Sequence, residues 1–379
     1  NKIESHCIYV SEIDRFAKEI YSKNFDFSVS KIFDIYDFQE SKKEKLDVIF
    51  CGFPCQSFSS AGNKKGFEDE TRGTLIFKMI EIVKKTKPKI VLLENVKHLV
   101  NHNNKKTFNT IIEKFKKLIY ITTKKPLIFN PFKDFNMHQN RERVFIPLVS
   151  SEIERKLKFL EEDITVLKSD YNFVFSKDEN PNKKLYVKKS DELLKALTAW
   201  KEFVEHFKKL NKKIPVIWLD EMCRKNYVSN SNCQNKDWYK NYIKAMKNFY
   251  KENKNYIDKW IKKFKPFEWK LRRNRKLEWQ AGNTNFDEAY LQPRQSGLRF
   301  RKNLCFPTLV ATVQVPLLKD EKGWRLLSTK EVSRLQSFPE NHQICENDFQ
   351  AYKQYGNSIN VKVAEWVIDA YLKKYLEVL

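Results

Sequence analysis

Three short apolar runs constrain this chain more than any other feature, because each stops at residues able to do chemistry. The run 47–51 (DVIFC) is β-branched and aromatic and ends at Gly52, which reads as a buried strand closed by a turn. The runs 90–93 and 144–148 have the same character. Between them, apolar residues at 75, 76, 79, 80 and 83, then at 108, 111, 112, 115 and 118, share one helical face, and Pro88 ends the first helix. Strands alternating with helices predict an α/β, doubly wound sheet whose chemistry sits at the carboxyl ends of its strands. Cys55 lies just past one such end. Pro54 fixes its own φ and holds Phe53 extended, so a stiff backbone presents the thiol. Alone, a cysteine in this place is usually a small buried hydrophobe.

Composition narrows the partners. The 379 residues include 72 Lys and Arg against 48 Asp and Glu, a formal net charge of +24. Such an excess favours a polyanion, although a Lys- and Asn-rich bias from an AT-rich genome produces it too. The length allows one large or two moderate domains. The seven cysteines form no CxxC pair, and there is no signal peptide or long apolar run. This argues for a reducing cytoplasm, without a disulfide framework, a zinc site or a membrane span.

The cysteine gains meaning from its company. Pro54-Cys55-Gln56 follows the first run, Glu94-Asn95-Val96 ends the second, and Gln139-Asn140-Arg141-Glu142-Arg143 precedes the third. Arg334-Leu335-Gln336-Ser337-Phe338-Pro339 and Gln354-Tyr355-Gly356-Asn357-Ser358 come later. In that order the five stretches resemble the signature of the cytosine-C5 DNA methyltransferases. The resemblance implies a doubly wound, S-adenosylmethionine-dependent methyltransferase (Rossmann-like) large domain with a smaller target-recognition domain. It implies a catalytic and cofactor-binding domain at 1–150, target recognition at 151–305, and at 306–379 a support for the recognition domain plus a C-terminal helix returning to the catalytic domain. Double-stranded DNA is the implied substrate, S-adenosylmethionine the cofactor, S-adenosylhomocysteine its product, and no metal takes part. The family setting is a bacterial restriction-modification system. A monomer acting on the nucleoid in the cytoplasm is expected, with a cognate endonuclease that the chemistry does not require.

Roles carry over by the same resemblance. Cys55 adds to cytosine C6, Glu94 donates a proton to N3, Arg143 holds O2 and Arg141 lies near the reacting edge. An acid at the end of the second strand suits ribose hydroxyls, so Glu12 binds the ribose and Ile13 lies against adenine. Asp34-Ile35 resembles the third motif, Asp34 being either near the adenine amino group or a solvated loop acid. Arg72-Gly73-Thr74-Leu75 resembles the fifth, with Leu75 at the cofactor or in the core. Pro54, Asn357 and Ser358 complete the cofactor pocket. Residues 56–73, with Gly62, Gly66 and Gly73, read as a loop that closes over substrate.

One part of the family pattern is missing. A glycine-rich Phe-x-Gly-x-Gly loop should precede the strand at 7–10, yet no glycine occurs before Gly52 and the chain begins at Asn1. Lacking its central first strand, the sheet would have two unpaired apolar edges. The expectation is an upstream segment of a few tens of residues. The alternatives are a non-catalytic DNA-binding remnant or partner subunit and an RNA cytosine methyltransferase.

Past residue 148 the alternation stops. Trp238, Tyr242, Met246 and Phe249, then Tyr256, Trp260 and Phe264, fall at helical spacing and predict the core of a second domain. The segments 270–275 (KLRRNR) and 292–302 (QPRQSGLRFRK) interleave Arg with Gln, Asn and Gly. Arginine reads guanine edges bidentately and also grips phosphates. Gln56, Arg272, Arg273, Arg275, Arg294 and Arg299 are the candidate DNA contacts, a solvated basic face being the other reading.

Overall fold

The apolar runs pair with one another, and that pairing sets where the strand-end residues fall. The structure is a computed structural model that describes residues 5–39, 45–54, 73–157, 177–188, 190–224, 236–302, 305–311 and 314–376. The chain divides into two compact units: Asn1–Val174 with Leu335–Gln354 and Ser358–Leu379, and Phe175–Arg334 with Tyr355–Asn357.

In the first unit β1 (Val10–Ser11) and β2 (Ile32–Phe33) form a parallel pair joined through helix α1 (Arg15–Asn24). A five-stranded sheet contains β3 (Val48–Gly52), β4 (Ile90–Val96), β5 (Tyr120–Thr122), β6 (Leu127–Phe129) and β7 (Arg143–Ser150). Its order is β3-β4-β7-β5, with β6 also on β7. β3 runs parallel to β4, whereas β7 is antiparallel to it. β4 is apolar on both faces because both are covered. Val91 and Leu93 pack with Val144 and Ile146 against Ile76, Met79 and Val83 of α2 (Gly73–Thr86) and Ile111 and Phe115 of α3 (Lys106–Lys117). Ile90 and Leu92 face Phe135 of α4 (Pro131–Phe135), Ile153 of α5 (Ser151–Leu157), and Val363 and Val367 of the C-terminal helix Val361–Leu376. Among the described residues no strand joins β3 to β1, and Phe50 on β3 is 52% exposed.

The second unit is a six-stranded sheet backed by helices. β8 (Ile217–Trp218), β9 (Lys276–Gln280), β10 (Tyr290–Arg294), β11 (Gly297–Arg301), β12 (Leu317–Asp320) and β13 (Gly323–Leu326) lie in the order β13-β12-β10-β11-β9-β8. Trp200, Phe203 and Phe207 of α6 (Glu192–Lys209) pack with residues of two later helices and with Leu277, Leu291, Leu298 and Phe300 of the sheet. After the short α7 (Leu219–Cys223), those helices are α8 (Asp237–Glu252) and α9 (Lys254–Phe264).

Two expectations change here. The aromatic stripe of α8 is core only in part: Met246 and Phe249 are buried, but Trp238 and Tyr242 are 46% and 43% exposed. The core direction of that helix passes through Tyr239, Ile243 and Met246, which leaves Trp238 and Tyr242 on its margin. The second unit also runs to Arg334, not 305. Leu317 of β12 pairs with Leu291 of β10, and β13 pairs with β12, so 306–334 completes the sheet rather than adjoining it.

Candidate active site

Sheet register brings the first group of side chains together. Glu94 lies near the carboxyl end of β4, with Gly52 beside it on β3 and Phe145 beside it on β7. Arg143 sits opposite Val96, so it is the diagonal neighbour of Glu94 on the same face. Its Nε is 3.1 Å from Glu94 Oε1, and both side chains are largely buried. Burial pushes the Glu94 carboxyl above its ordinary pKa, outweighing the opposite pull of Arg143 and Arg141. This carboxyl therefore retains its proton more readily than a surface glutamate. A Cβ at position 52 would lie 3.4 Å from Glu94 Oε2, so Gly52 leaves room beside the acid.

Arg141 is 1% exposed. Its Nη2 donates to the Ser358 carbonyl at 2.6 Å, and Gln336 Nε2 donates to the same oxygen at 3.3 Å. The Gln336 carbonyl in turn accepts from Val361 N at 2.9 Å. Two distant motifs are thus tied to the end of the β4–β7 pair.

On the opposite face of β4, sequence reasoning passed over a residue. Asn95 is buried, and its Nδ2 donates to the Phe53 carbonyl at 3.2 Å while its Oδ1 accepts from Val96 N at 2.8 Å. The Phe53 ring is buried in the cluster with Ile76 and Met79. Backbone and ring of Phe53 are both fixed, two residues before Cys55. The signal was present within Glu-Asn-Val, but a side chain bonding to a distant carbonyl leaves no periodicity. Asn95→Ala removes that bond. It is expected to cost about 1–3 kcal/mol of stability and to slow methyl transfer more than it weakens DNA binding, as urea unfolding and single-turnover rates would show. The nearby Cys51 is unsuited to nucleophilic attack: burial first, and Glu94 second, push its thiol up to about 12. Cys55 and Gln56 lie outside the described residues.

The residues expected at the cofactor follow the parallel pair β1–β2. Glu12 comes directly after β1, and its Oε1 accepts from Ile13 N at 2.7 Å and Asp14 N at 2.9 Å. Ile13 is 73% exposed, an apolar surface next to a clamped carboxylate. Asp34 comes directly after β2 and accepts from Tyr36 N at 3.1 Å. Ile35 packs against the core that covers β4. Pro54 is exposed, Leu75 is half-buried in the first turn of α2, and Asn357 is exposed at the end of α11 (Asp348–Asn357), which follows α10 (Thr329–Leu335). A fixed acid, an exposed aliphatic side chain and a second acid at adjacent strand ends fit a nucleoside.

The second unit separates the expected DNA contacts. Arg275 is an internal brace: Nη2 donates to the carbonyls of Phe267 (2.9 Å) and Trp269, and Nη1 lies 3.4 Å from Asp220 Oδ1. Arg272 is exposed and Arg273 half-buried. Arg294 and Arg299 lie on the β10–β11 hairpin, Arg299 with its Nε 2.7 Å from Glu278 Oε2. Among the described residues no group of three or more His, Cys, Asp or Glu is placed to hold a metal, and no helix is long and apolar enough to cross a membrane.

The architecture is that of an α/β methyltransferase. A methyltransferase of Entamoeba histolytica has a similar fold, with TM-score 0.54 and 12% identity over 96% of this chain and 89% of that one. The Dnmt2 methyltransferase of S. pombe matches with TM-score 0.51 and 13% identity over 97% and 91%. The family model of the C-5 cytosine-specific DNA methylases matches residues 1–373, and the chain belongs to that family, whose reaction is methyl transfer to cytosine C5 in DNA. Type II methyltransferase M.BanI of Aneurinibacillus aneurinilyticus is 29% identical over 97% of this chain and 89% of its own length. M.HgiCI of Herpetosiphon aurantiacus is 29% identical over 97% and 91%. M.HaeII of Haemophilus aegyptius is 40% identical over 47% of this chain and 56% of its own.

Proposed function

We propose that this enzyme methylates a cytosine turned out of a specific duplex sequence, with Cys55 as nucleophile and Glu94, Arg143 and Arg141 as the groups that manage charge in the ring. The buried Glu94 carboxyl, its pKa raised by burial against the opposing pull of two nearby arginines, carries this reading. Cytosine C5 is a poor nucleophile until a thiolate adds at C6. Attack by Cys55 forms the S–C6 bond and sends the electron pair of the 5,6 double bond into the ring. Glu94 donates its proton to N3 and Arg143 holds O2, each such donor being worth a factor of about 100 to 1000.

S-adenosylmethionine, when bound, supplies the electrophilic methyl group that C5 takes up. Glu12, Ile13, Asp34, Ile35, Pro54, Leu75, Asn357 and Ser358 would hold it. Loss of the C5 proton to a base or water then re-forms the 5,6 double bond and expels the Cys55 thiolate, and the N3 proton returns to the Glu94 carboxylate. The target must leave the stack first, at a cost of a few kcal/mol, which contacts from Gln56 and the arginines of the second unit offset. Type II methyltransferases among the relatives support a place in a restriction-modification system; a monomer working on cytoplasmic DNA, with no physical need for the cognate endonuclease, completes the proposal.

Incubation with tritiated S-adenosylmethionine and mixed-sequence duplex DNA, followed by nucleoside analysis, tests this. Label in 5-methylcytosine is the expected result. Duplex binding without any labelled cytosine would sink the reading and leave a binding protein.

A further inference from the structure

The β10–β11 hairpin carries an imbalance of charge that the fold does not use. Leu291, Leu298 and Phe300 turn one face of it into the core. By alternation Tyr290, Gln292 and Arg294 of β10 and Arg299 and Arg301 of β11 share the other face, in the register Tyr290 with Arg301, Gln292 with Arg299 and Arg294 with Gly297. β9 adds Glu278 beside Arg299 and Gln280 beside Arg301. Three guanidiniums therefore meet one carboxylate, and Arg299 takes it, at 2.7 Å.

The Arg294 side chain is half-buried and makes no hydrogen bond or ion pair among the described residues. Burial first, then Arg299, push its pKa down; Glu278 pulls the other way, and Arg301 adds the smallest push down. Arg301 Nε is buried without a hydrogen-bond partner. Such unspent donors are costly unless something outside the chain accepts from them.

The tip is also rigid. Gln295 and Ser296, both exposed, make a two-residue connection between Arg294 and Gly297. Gly297 has φ +139°, and a Cβ there would lie 2.7 Å from Lys276 Cβ and 3.0 Å from the Lys276 carbonyl oxygen. Only glycine lets the turn press against β9 in this way. A two-stranded ribbon fits the major groove of duplex DNA, where a guanine edge presents two acceptors to an arginine fork.

We propose that the tip of this hairpin is a guanine-reading element of the recognition unit, with Arg294 as the specificity-determining residue and the Glu278–Arg299 pair holding the neighbouring fork in place. The proposal rests on the reading of the chain as a DNA cytosine methyltransferase. A phosphate contact would ask only for positive charge, whereas a base contact asks for a planar fork held in one place.

The test is methylation of a randomised duplex library by the full chain and by Arg294→Lys and Arg294→Ala, read by bisulfite sequencing, with rates at several salt concentrations. The wild type is expected to show a consensus containing guanine. Both variants are expected to lose discrimination at one guanine position by roughly ten- to hundredfold while the other positions hold. Lysine retains the charge but not the fork, so its failure to restore selectivity is the decisive result. A uniform loss across all sequences, rescued by lysine and accompanied by a smaller salt dependence, would mark Arg294 as a phosphate contact and overturn the proposal. Unchanged selectivity in both variants would overturn it too. A wild-type chain that methylates nothing refutes the underlying function instead, a different outcome from methylation with unaltered consensus.

Discussion

Alanine at position 94 is expected to lower single-turnover methyl transfer by about 100- to 1000-fold with duplex affinity nearly unchanged, and serine at position 55 to leave no measurable transfer. Glu94 sits where β3, β4 and β7 meet in register, so truncation removes a donor without disturbing the sheet. Arg143 keeps one partner, since its Nη1 still donates to the Glu142 carbonyl at 2.9 Å. Glutamine should lose much less than alanine, because an amide can still donate to N3 though it cannot transfer a proton.

The raised pKa of Glu94 adds a sign that can be checked. Only the protonated acid can donate, so the wild-type rate should fall as pH rises through its folded pKa, and Glu94→Gln should lack that limb. Stability follows the same direction. A folded pKa above the ordinary 4.5 means that the native state binds the proton more tightly. The associated stability is present at low pH and is lost as pH rises through the folded value. A Glu94→Ala enzyme with wild-type rate and pH profile would remove Glu94 from the chemistry.

The sheet that carries Glu94 and Arg143 was legible in the sequence for a physical reason. Short apolar runs bounded by turn signals read as strands, and 47–51, 90–93 and 144–148 became β3, β4 and β7; β4 and β7 are buried on both faces, whereas the expected buried strand at β3 leaves Phe50 52% exposed. The helices at 74–85 and 105–118 became α2 and α3 because each has an apolar face that a sheet must cover. Register itself was not legible. That Arg143 lies diagonal to Glu94, or that Asn95 reaches the Phe53 carbonyl, depends on pairings between segments far apart in the chain.

The second unit was less readable. Its strands have two to five residues, and their polar positions alternate Arg, Gln, Lys and Glu, a pattern shared by loops. β9 and β11 are parallel neighbours separated by β10 in sequence, which no local signal announces. Arg275 and Arg294 looked alike as members of basic segments. Only the fold separates a guanidinium spent on Asp220 and two carbonyls from one that makes no hydrogen bond or ion pair among the described residues.

Removing the Glu331 carboxylate is expected to cost the second unit about 3–5 kcal/mol of stability, the largest effect predicted away from the chemistry. Arg325 is 1% exposed and Glu331 fully buried. They form a two-pronged pair, Nη1 to Oε2 at 2.7 Å and Nη2 to Oε1 at 2.9 Å. Glu331 also accepts from Ser328 N at 2.8 Å and Asp178 N at 3.0 Å, and its own N–H is capped by Ser328 Oγ at 3.2 Å. Arg325 Nε donates to Asp320 at 2.7 Å, so one network ties β12, β13, the start of α10 and the segment at 178. Desolvation opposes ionisation of Asp320, but hydrogen bonds from Arg325 and Tyr186 win and hold its pKa below 3.8. Its contribution is therefore present above that value and lost as pH falls through the folded one.

Glu331→Ala takes from a buried guanidinium one of its two carboxylate partners, leaving it Asp320 and the Leu326 carbonyl, and leaves two backbone N–H groups unanswered at once. Arg325→Met combined with Glu331→Leu removes the stranded charge and should recover part of the loss, but not the hydrogen bonds to residues 178 and 328. Seven of the eight tryptophans fall within 175–334, so urea unfolding followed by tryptophan fluorescence reports chiefly on this unit. A midpoint unmoved in Glu331→Ala would mean that water reaches Arg325 and that the network does not brace the six-stranded sheet.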